Sequence, residues 1–594
     1  MYSKEKIELM FSVFPPLQKI LLAAPDYETA RDRFLAKSRR FIEANAEDAL
    51  RLSGLQVSLR LSCLRAFRQF FTRRSAHLAG FDMVKVLYDM AHKNWQNLPP
   101  DLSDAFIEDV YHILSGMAGK AGVYNDERKI RKTGREAGIA RSHYLNRLCE
   151  KIDAYMNRYS CGLEPAVVEK RNENRRRIMR HFGCSEAEFD DYHWQLRNII
   201  RDSGTLEKLV ELTSDEKLAI DRARAGRLPF GITPYYVSLF DFTSDGRSDM
   251  PVRAQVIPPM SYVDGILTRR GQPVCDLDFM RESDTSPIDL ITRRYPRIVV
   301  FKPYNTCSQI CVYCQRNWEI DDVYAPGAMA SKEKLDAAID WIAANPAVNE
   351  VLVTGGDPLV MTDANIRYVL ESLAQIETVW RIRIGSRTPV ALPQRITDEL
   401  ADMIASFQQP GRREIVIVTH FEHSLEITPP AMEAIQKFRR RGLYCYNQAV
   451  FTIQNCRRYE VNVLRRWLRQ IGVEPYYTFN AKGKQETDFY RVPLARLQQE
   501  AKEEARLMSG MARTDEPVFN VPGLGKNYLR AEQNHLLLTI LPDGRRVYEF
   551  HPWEKYISNA SSYVYTDLAL YDYLKKLEML GENPEDYKSI YYYF

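Results

Sequence analysis

Eight residues constrain this chain most: Cys307-Ser308-Gln309-Ile310-Cys311-Val312-Tyr313-Cys314. Their pattern is Cys-x3-Cys-x2-Cys. Three thiolates this close can reach one iron–sulfur cube, for which cysteine thiolate is the usual protein ligand. A cube has four irons, so three ligands leave one iron open to another molecule. A structural zinc site would want four ligands in paired spacings, and no second cysteine pair lies nearby.

The chain around the motif reads as α/β. From residue 291 onward short apolar runs recur at 298–302, 350–354, 381–385, 414–419, 443–450 and 475–479. Amphipathic stretches of helical length, such as 331–344 and 459–471, separate most of them. Near-continuous apolar strands alternating with helices argue for a parallel sheet. Six such units are too few for an eight-fold barrel, so the reading is a partial (β/α)6 barrel spanning 291–510. In parallel barrels the site lies at the C-terminal strand ends, and the cysteine motif directly follows the first strand.

Residues 1–185 read as an all-helical extension. Leu52, Leu55, Leu59, Leu61 and Leu64, then Phe67, Phe70 and Phe71, approximate an apolar helix face. Residues 1–190 are basic, with 32 Lys and Arg against 25 Asp and Glu, and densest at Lys170–Arg177. No aromatics are interleaved there to stack on bases, so a solvated helix face is favoured over a nucleic-acid surface. Ser185–Glu188 and Thr213–Glu216 have the form of capping boxes and open a helical lead-in, 186–290. Residues 511–594 hold a glycine loop, Pro522-Gly523-Leu524-Gly525-Lys526, then a hairpin of 535–540 and 546–550 about Asp543-Gly544, and an aromatic tail. The tail is expected to pack on the body or on another subunit.

At 594 residues the chain is too long for one core. Its net charge of +4 is small, so no strong polyanion affinity follows. No apolar run reaches the length of a membrane span, and the N-terminus lacks the form of a signal peptide. Ten cysteines in so long a chain make no disulfide scaffold, and a cytoplasmic, reducing compartment is expected.

Four further features converge, three of them at strand ends. Thr354-Gly355-Gly356-Asp357 closes the second strand, where glycines let backbone approach a ligand closely. Arg383 and Arg387 end the third, suited to an anionic group such as a phosphate. His420, in Thr419-His420-Phe421-Glu422-His423, ends the fourth. Lys526, held between glycines, could form an imine with an aldehyde.

Together these residues resemble the lysine 2,3-aminomutase family of pyridoxal phosphate (PLP)-dependent radical S-adenosylmethionine (SAM) enzymes. The resemblance runs from about Tyr192–Asn198, through Gly231-Ile232-Thr233-Pro234-Tyr235-Tyr236 and Leu392–Thr397, to about residue 555; it does not cover 1–185. It implies a [4Fe–4S] cluster on Cys307, Cys311 and Cys314. SAM would sit on the open iron, its amino group at the Gly355-Gly356-Asp357 loop, with further contacts from His420 and Gln448. PLP would be held by Lys526, with Arg294 on its phosphate, and Arg316 would grip the substrate carboxylate. A second phosphate arginine of the family falls on Ile298. The resemblance also implies a flavodoxin- or ferredoxin-type electron donor and leaves a homo-oligomer open.

The chain departs from the family at two places. No cysteine follows Cys456, so the C-terminal zinc site of some members is not expected. Lysine-specific members hold the distal ammonium between two aspartates; those positions fall on Lys482 and Asn520 here. A cation and an amide suit a carboxylate instead, as in the glutamate 2,3-aminomutases. The implied reaction is an isomerisation moving the α-amino group to the β-carbon, of L-glutamate to β-glutamate. The alternatives are another amino acid, a protein-bound lysine, or a partner-binding protein on the same scaffold.

Overall fold

The structure, a computed structural model, describes residues 2–38, 53–123, 133–269, 277–482, 485–552, 557–558 and 560–594. Its contacts divide the chain into two compact units.

One unit comprises Ala154–Arg491 and Glu504–Gly525. Its strands are β1 (Ile291–Thr292), β2 (Ile298–Tyr304), β3 (Glu350–Gly355), β4 (Arg381–Gly385), β5 (Glu414–Thr419), β6 (Tyr444–Phe451), β7 (Val473–Asn480) and β8 (Glu516–Val521). They neighbour one another in chain order. β1 is antiparallel to β2, and every pairing from β2 to β8 is parallel. Ile415 to Val418 of β5 are buried without alternation, as a strand covered on both faces must be. The intervening helices start where the side chains of Ser331, Thr362, Thr397 and Thr428 accept a backbone N–H of the first turn.

The expected partial barrel is present, with one parallel strand more than the six read from the sequence. β8 went unread because it is short and carries Pro517, which cannot donate to a ladder; it pairs Val518 with Phe479. Both capping boxes form, at Ser185 and at Thr213.

The boundary expected near 185 lies elsewhere. It falls after Asp153, inside the helix Gly134–Met156. The helix Pro165–Phe182 belongs to the barrel-bearing unit: Ile178 joins its main core, and the Asn174 amide donates to the carbonyls of Ser238 (3.2 Å) and Phe240 (2.6 Å). Arg171, Asn174 and Ile178 are the buried stripe of this helix. The basic run Lys170–Arg177 is therefore mostly the solvated face of a packed helix.

The second unit comprises Met1–Asp153, Val492–Glu503 and Lys526–Phe594, so the sequence termini share one unit instead of forming separate domains. β9 (Gly525–Tyr528) opens its last segment; β10 (His535–Ile540), β11 (Arg545–Phe550) and β12 (Tyr563–Ala569) form an antiparallel sheet. The Asp-Gly turn joins β10 to β11, with Gly544 at φ +86°. Of the expected apolar face on the helix Gly54–Phe70 and its end, Leu64, Phe67, Phe70 and Phe71 are buried, while Leu55 is exposed; Leu52 lies outside the described residues. The aromatic tail packs within this unit: Tyr591 stacks on His112 at 4.0 Å, and Arg546 donates to the carbonyls of Tyr591 and Tyr593. Among the described residues no helix is long and apolar enough to cross a membrane.

Candidate active site

The cysteine loop leaves β2 and is pinned by the residues between its thiols. Ile310 donates its N–H to the Gly231 carbonyl (3.0 Å) and Val312 to the Gln255 carbonyl (2.8 Å). Both side chains are buried, so the backbone is anchored on either side of Cys311. Asn317 adds amide donors to the Val312 carbonyl (2.8 Å) and the Tyr262 hydroxyl (2.5 Å).

The glycine loop is shaped by this neighbour. Gly356 N–H donates to Tyr304 O (2.8 Å) and Asp357 N–H to Thr306 O (2.9 Å). A Cβ on Gly356 would lie 2.1 Å from Thr306 O, and one on Gly355 2.6 Å from Tyr304 O. Gly355 also has φ +113°, a conformation that side chains disfavour. Asp357 then ties the loop to the end of β4, accepting from Ser386 Oγ (2.6 Å) and the Arg387 N–H (2.8 Å).

Arg387 was expected to meet an anionic group such as a phosphate; here it meets the Glu426 carboxylate and the Cys311 thiol. Its Nη1 lies 2.6 Å from Cys311 Sγ. Its Nη2 donates to Glu426 Oε1 (2.6 Å), Gln255 Oε1 and the Tyr236 hydroxyl (3.3 Å). Arg383 is paired with Glu350 and donates to the Tyr476 hydroxyl (3.2 Å). His420 Nδ1 lies 3.1 Å from the Gln448 carbonyl, which joins the two residues expected at SAM. Burial, then Arg387, push its imidazole down to about 4, so it is neutral at pH 7.

Burial pushes the Cys307 thiol well above its ordinary range, and Asp357, Cys314 and Cys311 add to the rise. Burial pushes Cys311 up to about 11, against the pull of Arg387. Such thiols ionise when a metal displaces their protons. Among the described residues no three His, Cys, Asp or Glu side chains are grouped to hold one metal ion. Three thiols on one loop are the donor type that an iron–sulfur cube takes, one to each of three irons.

Sequence reasoning missed the acids behind this cluster. Glu426 is fully buried and accepts from Arg387, Tyr236 and the N–H groups of Glu422 and His423. Glu422 is buried with its carboxyl raised to about 8 by burial. The only signal was their place in the strand-end run 419–426. Tyr236 belongs to the Gly-Ile-Thr-Pro-Tyr-Tyr phrase, whose role is thus to brace Arg387 and the cysteine loop.

Part of the second group of site residues meets within the barrel-bearing unit. Arg316 pairs with Glu282 at 2.8 Å, Arg294 lies 4.0 Å from the same carboxylate, and Gln315 donates to it at 2.8 Å. Lys482 donates to Gln315 Oε1 and is half-buried, not a solvent-facing lysine. Asn520 lies on β8, two residues past Val518, whose pairing with Phe479 ends the β7–β8 register. Lys526 is half-buried on β9 in the other unit. Gly525 before it has φ +84°, and a Cβ there would lie 2.9 Å from the Tyr295 hydroxyl.

The sequence pattern of the radical SAM superfamily matches residues 301–473. A protein of Methanocaldococcus jannaschii described as an uncharacterized KamA family protein is 41% identical over 98% of this chain and 97% of its own length. The glutamate 2,3-aminomutase of Clostridioides difficile is 34% identical over 56% of this chain and 75% of its own. The L-lysine 2,3-aminomutase of Methanococcus maripaludis is 35% identical over 49% and 64%.

Proposed function

Because this chain belongs to the KamA family and carries a radical SAM domain, we propose that it is a PLP-dependent 2,3-aminomutase that moves the α-amino group of L-glutamate to its β-carbon. The observation that carries the choice of substrate is the charge of the pocket about Arg316. Arg294, Lys302, Arg316 and Lys482 gather about Glu282, so that these four cations face the carboxylates of Glu282 and Glu319. An ammonium side chain would enter this excess of cations at a cost, whereas a second carboxylate gains charge-assisted hydrogen bonds.

Cys307, Cys311 and Cys314 would hold the cluster, and the Gly355-Gly356-Asp357 loop, His420 and Gln448 would contact SAM. Lys526 and Arg294 would hold PLP. When bound, these groups supply a hydrogen-abstracting radical and an electrophilic carbonyl carbon for the migrating nitrogen. The chain's own residues do the rest. Arg316 binds the α-carboxylate, and Lys482 with Asn520 binds the γ-carboxylate. Two anchors on one small substrate fix which β-hydrogen faces the reacting centre. Neutral His420 offers SAM a lone pair or an N–H without adding a competing charge.

Anaerobic incubation of the reconstituted protein with SAM, PLP, reductant and a panel of amino acids tests the reading. β-Glutamate should form fastest. Turnover of L-lysine matching or exceeding that of glutamate refutes the substrate, and absence of any β-amino product refutes the reaction.

A further inference from the structure

Glu282 was not among the residues the sequence singled out, yet four cations converge on it. It is 5% exposed. Arg316 Nη2 lies 2.8 Å from one carboxylate oxygen and 3.0 Å from the other. Gln315 Nε2 donates at 2.8 Å, and Lys302 Nζ and Arg294 Nη2 stand at 3.8 and 4.0 Å. Lys482 joins through Gln315 Oε1. Burial pushes this carboxyl up, but Arg316, then Arg294, Lys302 and Lys482 outweigh it and hold Glu282 below the usual carboxylate range.

The turn that presents Glu282 is itself built. Asp278 accepts the N–H groups of Glu282 (2.8 Å) and Ser283 (3.0 Å) and the Ser283 hydroxyl (3.0 Å). The Ser286 hydroxyl donates to the Glu282 carbonyl (2.7 Å), and Arg281 before it takes φ +52°. Among the described residues the second guanidinium nitrogen of Arg316, Nη1, is buried and makes no hydrogen bond. An orphaned buried donor on a charged group is costly, and it leaves Arg316 one hand for a ligand while Glu282 holds the other.

We propose that Glu282 is the positioning residue of the substrate pocket: its carboxylate clamps Arg316 directly and Lys482 through Gln315, setting the separation of the two carboxylate anchors. This rests on the reading of Arg316 and Lys482 given above. Lysine and arginine stems are long and flexible, and four like charges repel; one central anion both neutralises part of that repulsion and selects a rotamer for each. The clamp also competes with the substrate for Arg316, so it trades ground-state affinity for alignment.

Glu282→Gln keeps the shape and removes the charge, and Glu282→Ala removes both. In the full-length protein reconstituted with cluster, SAM and PLP, iron per chain should match the parent in both. The turnover number for L-glutamate should fall about 100-fold, the cost of roughly 1 Å of misplacement, with no rise in KM. Acetate, filling the space left in Glu282→Ala, should restore turnover at least about tenfold, and should leave Glu282→Gln and the parent unmoved. Glutarate binding to the oxidised, SAM-free protein, read by calorimetry, should tighten in Glu282→Gln. Parallel loss of iron and activity in both variants, a rise in KM alone, or failure of acetate and unchanged glutarate binding would each overturn the clamp. If the parent prefers another amino acid, the substrate reading fails, and acetate rescue with that amino acid still decides the clamp.

Discussion

Gly356→Ala places one methyl group against backbone. The added carbon would lie 2.1 Å from Thr306 O, 2.5 Å from Thr306 N and 2.6 Å from Thr306 C. Relaxed carbon contacts are near 3.5–4.0 Å, so the Thr306 peptide must retreat by more than about 1 Å. It cannot rotate away as a side chain would. It carries the Asp357 N–H bond on one side and Cys307 on the other. Overpacking of this kind costs about 1–3 kcal/mol, and here the displaced atoms lead directly into a proposed ligand thiol. The expected outcome is a folded protein that takes up less than half the parent's iron on anaerobic reconstitution, with a matching loss of visible absorbance. Gly138→Ala is the control: it is exposed in a helix with nothing within 4 Å of the new carbon, and should add about 0.5–1 kcal/mol of stability. Normal iron content in Gly356→Ala, with melting unchanged, would refute the argument from close approach.

Lys482→Ala should raise KM for glutamate about 10- to 100-fold, from loss of a charge-assisted hydrogen bond of roughly 1.5–3 kcal/mol; steady-state kinetics of β-glutamate formation give the answer, and an unchanged KM removes Lys482 from the pocket. Borohydride treatment of the PLP-loaded protein followed by peptide mapping should tag Lys526, with no tag in Lys526→Ala; a tag on a different lysine reassigns the role. Asp109→Asn should destabilise the unit that holds it by about 3–5 kcal/mol, because Arg546, itself fully buried, loses its bidentate partner at 2.7 and 2.8 Å; chemical denaturation measures this. His112 is buried, and burial, then Lys588 and Arg546, push its imidazole down to about 3. The unfolded chain therefore takes up the proton first, and stability present above about pH 6.5 is lost as pH falls toward 3, by up to about 1.4 kcal/mol per pH unit for this group. His112→Gln should flatten that slope, and an unchanged slope would place the acid sensitivity elsewhere.

What the residue order determined by itself was whatever is local in the chain. A strand needs only its own apolar run, so β2 to β7 were legible, as were the capping boxes at Ser185 and Thr213. The cysteine spacing is also local, and it carries the expectation of an iron–sulfur cluster without reference to any fold. β8 was hidden because Pro517 weakens the local pattern and only pairing with β7 makes it a strand. The unit boundary near 153 was hidden because the basic helix Pro165–Phe182 looks solvated in composition, and only tertiary packing buries Arg171, Asn174 and Ile178. Tertiary structure alone decided what the site's charges face. Arg387 reads as a phosphate cation at a strand end, yet four segments distant in sequence give it Cys311, Glu426, Gln255 and Tyr236. Glu282 reads as nothing at all, an acid in a turn, until the fold sets Arg316, Gln315, Lys302 and Arg294 around it. A charge acquires its meaning from its counter-charge, and counter-charges here lie tens to hundreds of residues away in the chain, where no sequence window reaches.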